Sequence, residues 1–125
     1  MVIRVEEYAL EIVFFITDSK KNPVLEFINK LEKKDQVKIF GSLKSIQELG
    51  FETPRVEFRQ IDGKLWEIKI RTSSGGYRIF YVTVSREQMI LLHAYQKKSQ
   101  KTPKKELVVA LKRLKVVLED ENNKS

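Results

Sequence analysis

The stretch from residue 64 to residue 103, KLWEIKIRTSSGGYRIFYVTVSREQMILLHAYQKKSQKTP, decides the fold of this chain. It contains three runs rich in β-branched and aromatic residues, LWEIKI, YRIFYVTV and MILLHAY, which predict strands. The breaks between them, SSGG and SRE, are too short to hold a crossover helix. We therefore predict an antiparallel meander of three consecutive strands, followed by a basic tract.

The composition is typical of one globular domain with a real core. The chain has 125 residues, of which 42% are hydrophobic and 33% are charged. No apolar run is long enough to cross a bilayer, and the N-terminal stretch lacks a signal-peptide pattern, so we expect a cytoplasmic protein without a membrane partner. With no cysteine, one histidine and scattered acids, we expect no metal site and no cofactor.

The positive charge is concentrated in the meander and its exit. The formal net charge of the whole chain is +7. Residues 59–105 hold eleven Lys and Arg against three acids, so this segment carries +8 while the rest of the chain carries −1. A concentration of this kind is typical of a surface that meets a polyanion.

The remaining segments predict one strand, a helical hairpin and a last helix. Residues 8–16, YALEIVFFI, predict a strand that is apolar on both faces. Asn22-Pro23 is a good helix start, and Gly50 is a plausible end for the second helix. The two apolar stripes of this hairpin comprise Val24, Phe27, Ile28 and Leu31, then Ile39, Phe40, Leu43, Ile46 and Leu49.

A short extended segment and a final helix flank the meander. RVEFRQI leads into Asp62-Gly63, a frequent hairpin turn pair. Thr102-Pro103 repeats the cap-then-proline start, and the stripe of the last helix comprises Leu107, Ala110, Leu111, Leu114 and Val117 or Leu118. The order predicts one α+β domain over residues 1–125, with an antiparallel sheet of about four to five strands, the helical hairpin on one sheet face and a C-terminal helix. Residues 1–7 and 121–125 are expected to be flexible ends.

Strand alternation divides the first strand of the meander into two faces. Trp66, Ile68 and Ile70 share the face that should pack under the helical hairpin. Leu65, Glu67, Lys69 and Arg71 lie on the other face, so Lys69 and Arg71 are predicted to point towards an open surface. Arg78 can approach them across the Ser73–Gly76 turn. Lys97, Lys98 and Lys101 follow the third strand.

The meander resembles a known toxin superfamily. A strand ending in Arg, a Gly turn with Tyr-Arg, an aromatic-rich strand and a Lys-Lys…Lys-Thr-Pro exit are together similar to the RelE/ParE superfamily, most of all to its HigB-like, phage-related branch. The resemblance covers residues 61–118 by motif and residues 8–50 only by the order of elements. It implies a RelE-like fold and a metal-independent, ribosome-dependent mRNA endonuclease. It also implies a cognate antitoxin, expected to be a small helix-turn-helix DNA-binding protein.

The resemblance also assigns roles to individual cations. Arg78 matches an arginine suited to bidentate phosphate stabilisation, and Lys69 matches a strand lysine that could act as a base. The set implied to be catalytic is Lys69, Arg71, Arg78 and Lys98, and the set implied to bind RNA is Lys64, Tyr95, Lys97 and Lys101. Tyr95 and Tyr77 are the candidates for stacking on a base.

Two residues depart from this pattern or stand outside it. Glu67 occupies a position where related toxins often have a lysine, so it is either a base itself or a partner of Lys69, and the base stays open between Glu67 and Lys69. His93 is interpreted as a packed, hydrogen-bonded core histidine. Two other functions remain open: a ParE-like poison of DNA gyrase, and a module that binds RNA or protein without catalysis.

Overall fold

Strands and helices follow one another in the order β1, α1, α2, β2, β3, β4, β5 and α3. The structure is a computed structural model that describes residues 10–123. The strands are β1 (Glu11–Phe14), β2 (Glu57–Asp62), β3 (Leu65–Thr72), β4 (Gly75–Val84) and β5 (Gln88–Lys97). The helices are α1 (Pro23–Asn29), α2 (Lys33–Leu49) and α3 (Lys104–Asn123), with a short 3₁₀ turn at Gly50–Glu52.

The five strands form one mixed sheet in the order β1-β5-β4-β3-β2. The predicted meander β3-β4-β5 is antiparallel, as is the β2-β3 hairpin, whereas β1 pairs with β5 in parallel. The α+β class, the strand number and the RelE-like architecture are thus confirmed, although one pair of strands is parallel. A parallel pair is possible because β1 reaches β5 only through a long path that includes both N-terminal helices.

The predicted helix boundaries hold where capping residues specify them. The side chain of Asn22 accepts a hydrogen bond from the Leu25 backbone amide at 3.2 Å, and Pro23 begins α1. Gly50 ends α2 with a φ of 65°, a conformation that costs glycine little. Of the predicted flexible ends, residues 1–7, 124 and 125 lie outside the described residues, as do residues 8 and 9 of the predicted first strand, while residues 121–123 belong to α3.

Two separate cores lie on the two faces of the sheet. On one face, Ile68, Ile70 and Ile79 join the buried side chains of α1 and α2. On the other face, Leu65 and Phe80 join a second cluster with buried residues of α3. The expectation that this second face is open along β3 is therefore wrong for Leu65 and Glu67, which are both fully buried. The apolar stripe of α3 requires an apolar surface to pack against, and the sheet supplies it there.

Trp66 is a second correction. It was predicted to lie in the core, but it is 36% exposed and lines an apolar cleft with Phe51 and Phe58. No residue of α1 or α2 lines this cleft, so the helices do not extend over this part of the sheet face. Phe40 and Leu49, predicted in the stripe of α2, are exposed for the same reason: only part of the helix contacts the sheet. Within residues 10–123, no helix combines the length and the hydropathy needed to cross a membrane.

Candidate functional site

Strand register gathers cations from β3, β4 and β5 on one face of the sheet. Lys69 lies opposite Arg78, and Arg78 lies opposite Tyr95. In the next row, Arg71 lies opposite Gly76, which in turn lies opposite Lys97. Because side chains in register share a face, these two rows bring together cations that are up to 28 positions apart in the sequence (Lys69 to Lys97).

These rows form a groove of about 570 Å³. The groove lies on the sheet face that carries α3, at the end of that face where the helix does not cover it. Its charged lining comprises Lys69, Arg71, Arg78 and Lys97, with Glu57 as the acid. No residue of α3 contributes to the lining, and Gln100 reaches it from the loop that precedes the helix. The groove is therefore a positively charged surface beside a helix-covered core.

Gly76 leaves the floor of this groove open. It separates Arg71 from Lys97 in their row, and neighbouring strands lie roughly 4.8 Å apart, so the Cα atoms of the two cations are about 10 Å apart. A Cβ atom added at Gly76 would lie 3.9 Å from the Cβ of Lys97, an ordinary contact distance. A glycine here is thus not required by the backbone, and its effect is to leave space between two cationic side chains.

Glu67 holds Arg78 in place beneath the groove. Its carboxylate is fully buried and lies 2.7 Å from the Arg78 guanidinium, which is itself only 6% exposed. Arg59 approaches the same oxygen at 3.2 Å, and the Tyr95 hydroxyl lies 3.4 Å from the other oxygen. A carboxylate enclosed in this way cannot reach a substrate, so the alternative that Glu67 acts as the base is contradicted.

The other predicted role of Glu67, pairing with Lys69, is also wrong. The Lys69 amine lies 3.4 Å from the carboxylate of Glu57 on the neighbouring strand β2. Lys69 and Glu57 are direct cross-strand partners, whereas Glu67 lies two residues earlier on the same strand and faces Arg78 and Arg59. The sequence alone did not reveal which cation Glu67 would contact, because that choice depends on the strand pairing.

The environment of Lys97 in the groove lowers the pKa of its amine. Desolvation lowers the pKa of its amine below the ordinary value of 10.5, and the positive charges of Arg78, Lys69, Arg71 and Arg59 lower it further. Both causes disfavour the charged amine, so Lys97 loses its proton more readily than an ordinary surface lysine. This property suits a group that transfers protons.

Asp35, which is not among the predicted site residues, anchors the β3-β4 hairpin to α2. Asp35 is 2% exposed, and the Tyr77 hydroxyl donates a hydrogen bond of 2.8 Å to its Oδ2 atom. Burial raises the pKa of Asp35, but the hydrogen bond from Tyr77, together with the polar groups of Thr72 and Ser74 and the charge of Lys34, outweighs burial and holds this pKa below 3.8. Burial and Asp35 together raise the pKa of Tyr77 to about 12.

A signal for this anchor exists in the sequence. Asp35, Ile39, Leu43 and Ile46 recur at the spacing of one helix face, and all four are buried. An acid on an otherwise apolar stripe indicates a buried polar contact, since an unpartnered buried carboxylate is costly. The partner, Tyr77, is 42 residues away and follows only from the fold.

The structure does not bring every predicted residue into the groove. Lys64 is exposed in the turn before β3, at the opposite end of that strand from Arg71. Lys98 and Lys101 are exposed in the loop after β5 and do not line the groove. Tyr95 is 5% exposed and stacks beside Phe80 with ring centroids 5.6 Å apart, so a nucleobase cannot stack on it in this conformation.

His93 is half-buried and hydrogen-bonded between β5 and α3, as a structural histidine should be. Its Nε2 atom lies 3.0 Å from Oε1 of Glu106, and its Nδ1 atom lies 3.3 Å from a guanidinium nitrogen of Arg113. A guanidinium can only donate, so Nδ1 accepts and Nε2 carries the hydrogen donated to Glu106. His93 does not line the groove.

Comparison with known proteins identifies the family of a chain whose groove is lined by cations. Within residues 10–123, no group of three His, Cys, Asp or Glu side chains is placed to hold a metal ion. A search of curated proteins found no match. Residues 26–115 match the family described as Phage derived protein Gp49-like (DUF891), whose members are often toxins of toxin–antitoxin systems. Because this match spans most of the chain and includes the whole groove, the protein belongs to the Gp49-like family of phage-derived proteins.

Proposed function

We propose that this protein is the toxin of a type II toxin–antitoxin system and cleaves mRNA at the ribosome. The observation that carries the proposal is the groove in which Lys69, Arg71, Arg78 and Lys97 converge from three strands. Membership in the Gp49-like family supports the toxin role. The resemblance of residues 61–118 to HigB-like toxins of the RelE/ParE superfamily supports the nuclease chemistry.

The reaction proposed for the groove is attack of a ribose 2′-oxygen on the adjacent phosphorus. The O2′–P bond forms and the P–O5′ bond breaks, which leaves a 2′,3′-cyclic phosphate and a 5′-hydroxyl end. The proton of the 2′-hydroxyl goes to a base, and the departing 5′-oxygen receives a proton from an acid. The extra negative charge on the phosphorane is stabilised by the guanidinium groups of Arg71 and Arg78.

Lys97 is the base in this proposal, and Lys69 is the acid. The pKa of Lys97 is lowered by desolvation and by its cationic neighbours, which increases the fraction of unprotonated amine at neutral pH. Lys69 lies in the adjacent row, where its amine is 3.4 Å from the carboxylate of Glu57 on β2. Lys98 is not used for catalysis, because it lies outside the groove lining.

The proposal includes a cognate antitoxin, a small helix-turn-helix DNA-binding protein, and a cytoplasmic location where ribosomes are found. An acidic segment of the antitoxin would complement the groove, in which four cations face one acid. Neutralisation would then follow from occupation of the groove that mRNA needs.

The test is cleavage of a defined mRNA by purified protein on translating ribosomes, with the cut sites mapped by primer extension. The wild-type protein should cut mRNA in the ribosomal A site. Arg71→Ala should reduce the cleavage rate about 10²–10³-fold, since it removes one group that stabilises the transition state. Arg86→Ala is the matched control, because Arg86 is exposed in the β4-β5 turn and does not line the groove.

Two outcomes would contradict the proposal. Intact mRNA in the presence of folded wild-type protein would exclude ribosome-dependent cleavage. Accumulation of DNA cleavage complexes when the protein is mixed with gyrase, without any cut mRNA, would favour the gyrase-poison alternative instead.

A further inference from the structure

We propose that Lys38 of α2 and Arg55 of the loop before β2 form a second phosphate-binding site, which holds the RNA strand where it leaves the reaction groove. This inference rests on the proposed function, since it takes single-stranded RNA as the ligand of the first groove. Neither residue is among the cations that the sequence pattern or the resemblance to HigB-like toxins predicts to act on RNA. Both are exposed side chains on elements that do not belong to the meander.

The two sites are continuous on the surface. A second groove of about 420 Å³ is lined by Lys38, Arg55, Val56, Glu57, Lys69 and Arg71. Its last three residues also line the reaction groove. A strand bound in the reaction groove can therefore pass along Lys69 and Arg71 and reach Lys38 and Arg55 at the β2 edge of the sheet.

The charges along this path favour a polyanion. Four cations line the second groove against one acid, Glu57, which is engaged by Lys69 at 3.4 Å. Within residues 10–123, neither Lys38 nor Arg55 forms an ion pair, so both cations are available to an incoming anion. Arginine in particular presents a planar fork that matches phosphate oxygens.

The loop that carries Arg55 is held in a fixed conformation. Arg55 has a φ of 66°, in the left-handed region that favours glycine or asparagine. Two residues earlier, the buried Thr53 hydroxyl lies 2.6 Å from the carbonyl oxygen of Gly50 and 3.3 Å from that of Ser45, which ties the loop to the end of α2. An arginine at a position where the backbone favours other residues points to a use for its side chain.

Single-stranded RNA fits this path better than an acidic peptide does. A nuclease that cuts inside a message must accommodate the strand on both sides of the cut, and phosphates recur at every nucleotide of that strand. Cations placed beyond the reaction groove can therefore contact the same molecule without any sequence requirement. The path predicts that affinity grows with RNA length beyond the few nucleotides that fill the first groove.

The experiment measures binding without cleavage. The ligands are 2′-O-methyl RNA strands of about three and about twelve nucleotides, which cannot react, and binding is followed by fluorescence anisotropy over a range of salt concentrations. Lys38→Ala combined with Arg55→Asn should weaken binding of the longer strand about tenfold or more at low salt, and should leave the shorter strand unaffected. Loss of two phosphate contacts should also reduce the salt slope by about 1.4.

Two further variants show whether a change in RNA affinity depends on the position and the sign of the altered charge. Lys44→Ala combined with Arg86→Ala removes the same charge from exposed positions outside both grooves and should leave the length dependence intact. Glu57→Gln removes the acid at the junction and should tighten binding of the longer strand. Asparagine is chosen at position 55 because it tolerates a positive φ, and unchanged thermal melting shows that the variant is folded.

The outcomes separate this inference from the proposed function. Wild-type affinity of the Lys38/Arg55 variant for the longer strand, with reduced affinity in Arg71→Ala, would overturn the second site and leave the nuclease proposal standing. If the Lys38/Arg55 variant loses binding to a polyglutamate peptide but binds RNA like the wild-type protein, the second site is for a protein partner and not for RNA. Length-dependent RNA binding that requires Lys38 and Arg55, in a protein that cuts no mRNA on ribosomes, would support the second site and contradict the nuclease.

Discussion

The sheet face that carries α3 has two halves, which differ in whether their charged side chains are buried and paired or lie in an open groove. In the covered half, Glu67 is fully enclosed and its carboxylate contacts Arg78 and Arg59. In the open half, Lys69, Arg71 and Lys97 outnumber the single acid Glu57. Glu67, Lys69 and Arg71 follow one another on the same face of β3, so this face carries an internal ion pair in its covered half and a cationic groove in its open half.

The difference shows that coverage by a helix, and not residue type, decides what a charged side chain does here. A buried charge is tolerated only with partners, so the covered half contains a closed network. An exposed charge needs no partner, so cations can accumulate in the open half, where desolvation and these neighbouring charges together lower the pKa of Lys97. Arg78 belongs to both halves, since it contacts Glu67 and also lines the groove.

The largest effect is expected at this boundary. Arg78→Ala should lower the free energy of unfolding by about 3–5 kcal/mol, because it leaves the Glu67 carboxylate buried with its closest cation removed. Urea unfolding followed by circular dichroism measures the change. Arg78→Ala should also abolish mRNA cleavage, because the groove loses the Arg78 guanidinium.

A second change separates the two consequences of Arg78→Ala. Combining it with Glu67→Gln removes the buried charge and should recover much of the lost stability, while cleavage stays absent. If Arg78→Ala destabilises the protein no more than the exposed control Arg86→Ala does, the covered half does not depend on this ion pair and the comparison fails.

The next largest effect is expected at Lys97 in the open half of the face. Lys97→Arg keeps the positive charge but replaces an amine of lowered pKa with a guanidinium that does not lose its proton, so the cleavage rate should fall about 10²–10⁴-fold. Because desolvation and cationic neighbours lower the pKa of Lys97, the unprotonated amine and the wild-type rate should increase as the pH rises towards that lowered pKa. Single-turnover cleavage rates measured across pH show this dependence.

Arg71→Ala tests whether positive neighbours contribute to the lowered pKa of Lys97. Removal of one positive neighbour should raise the pKa of Lys97 and move the pH dependence of the residual cleavage to higher pH. A Lys97→Arg variant that keeps the wild-type pH dependence would show that another group accepts the proton.

The smallest effect concerns the anchor on the opposite sheet face. Tyr77→Phe removes the hydrogen bond to the buried Asp35 and should lower the melting temperature at neutral pH by roughly 5 °C. Asp35 has a folded-state pKa below 3.8, so its charged form stabilises the fold above about pH 4, and this contribution is lost as the pH falls through the folded-state pKa.

Thermal melting at neutral and acidic pH tests this linkage. The wild-type protein should lose more stability on acidification than Tyr77→Phe does, since the variant lacks the hydrogen bond that lowers the pKa of Asp35. Tyr81→Phe is a suitable control, because Tyr81 is buried on the same sheet face and makes no side-chain hydrogen bond within residues 10–123. Equal acid sensitivity of all three proteins would contradict the role of the Asp35–Tyr77 contact.

Much of the fold followed from local patterns. The meander, the Asn22 cap, the Gly50 helix end and the Asp62-Gly63 turn all lie where the sequence predicts them. The cations Lys69, Arg71 and Arg78 were also predicted on one face, and the structure brings them together with Lys97. The errors at Trp66, Leu65 and Glu67 share one cause, because each depends on how far a helix extends over the sheet.

Periodicity along a strand or helix is a property of the local backbone, so the sequence was sufficient to assign each side chain to a face and each element to its place in the order. Burial, ion pairing and the lowered pKa of Lys97 depend on residues that are distant in the sequence, and packing of α1, α2 and α3 on the sheet sets them. That packing placed α3 over one half of the face and left the other half open. The basic sheet therefore became a groove beside a buried ion pair, a distinction that no run of neighbouring residues contains.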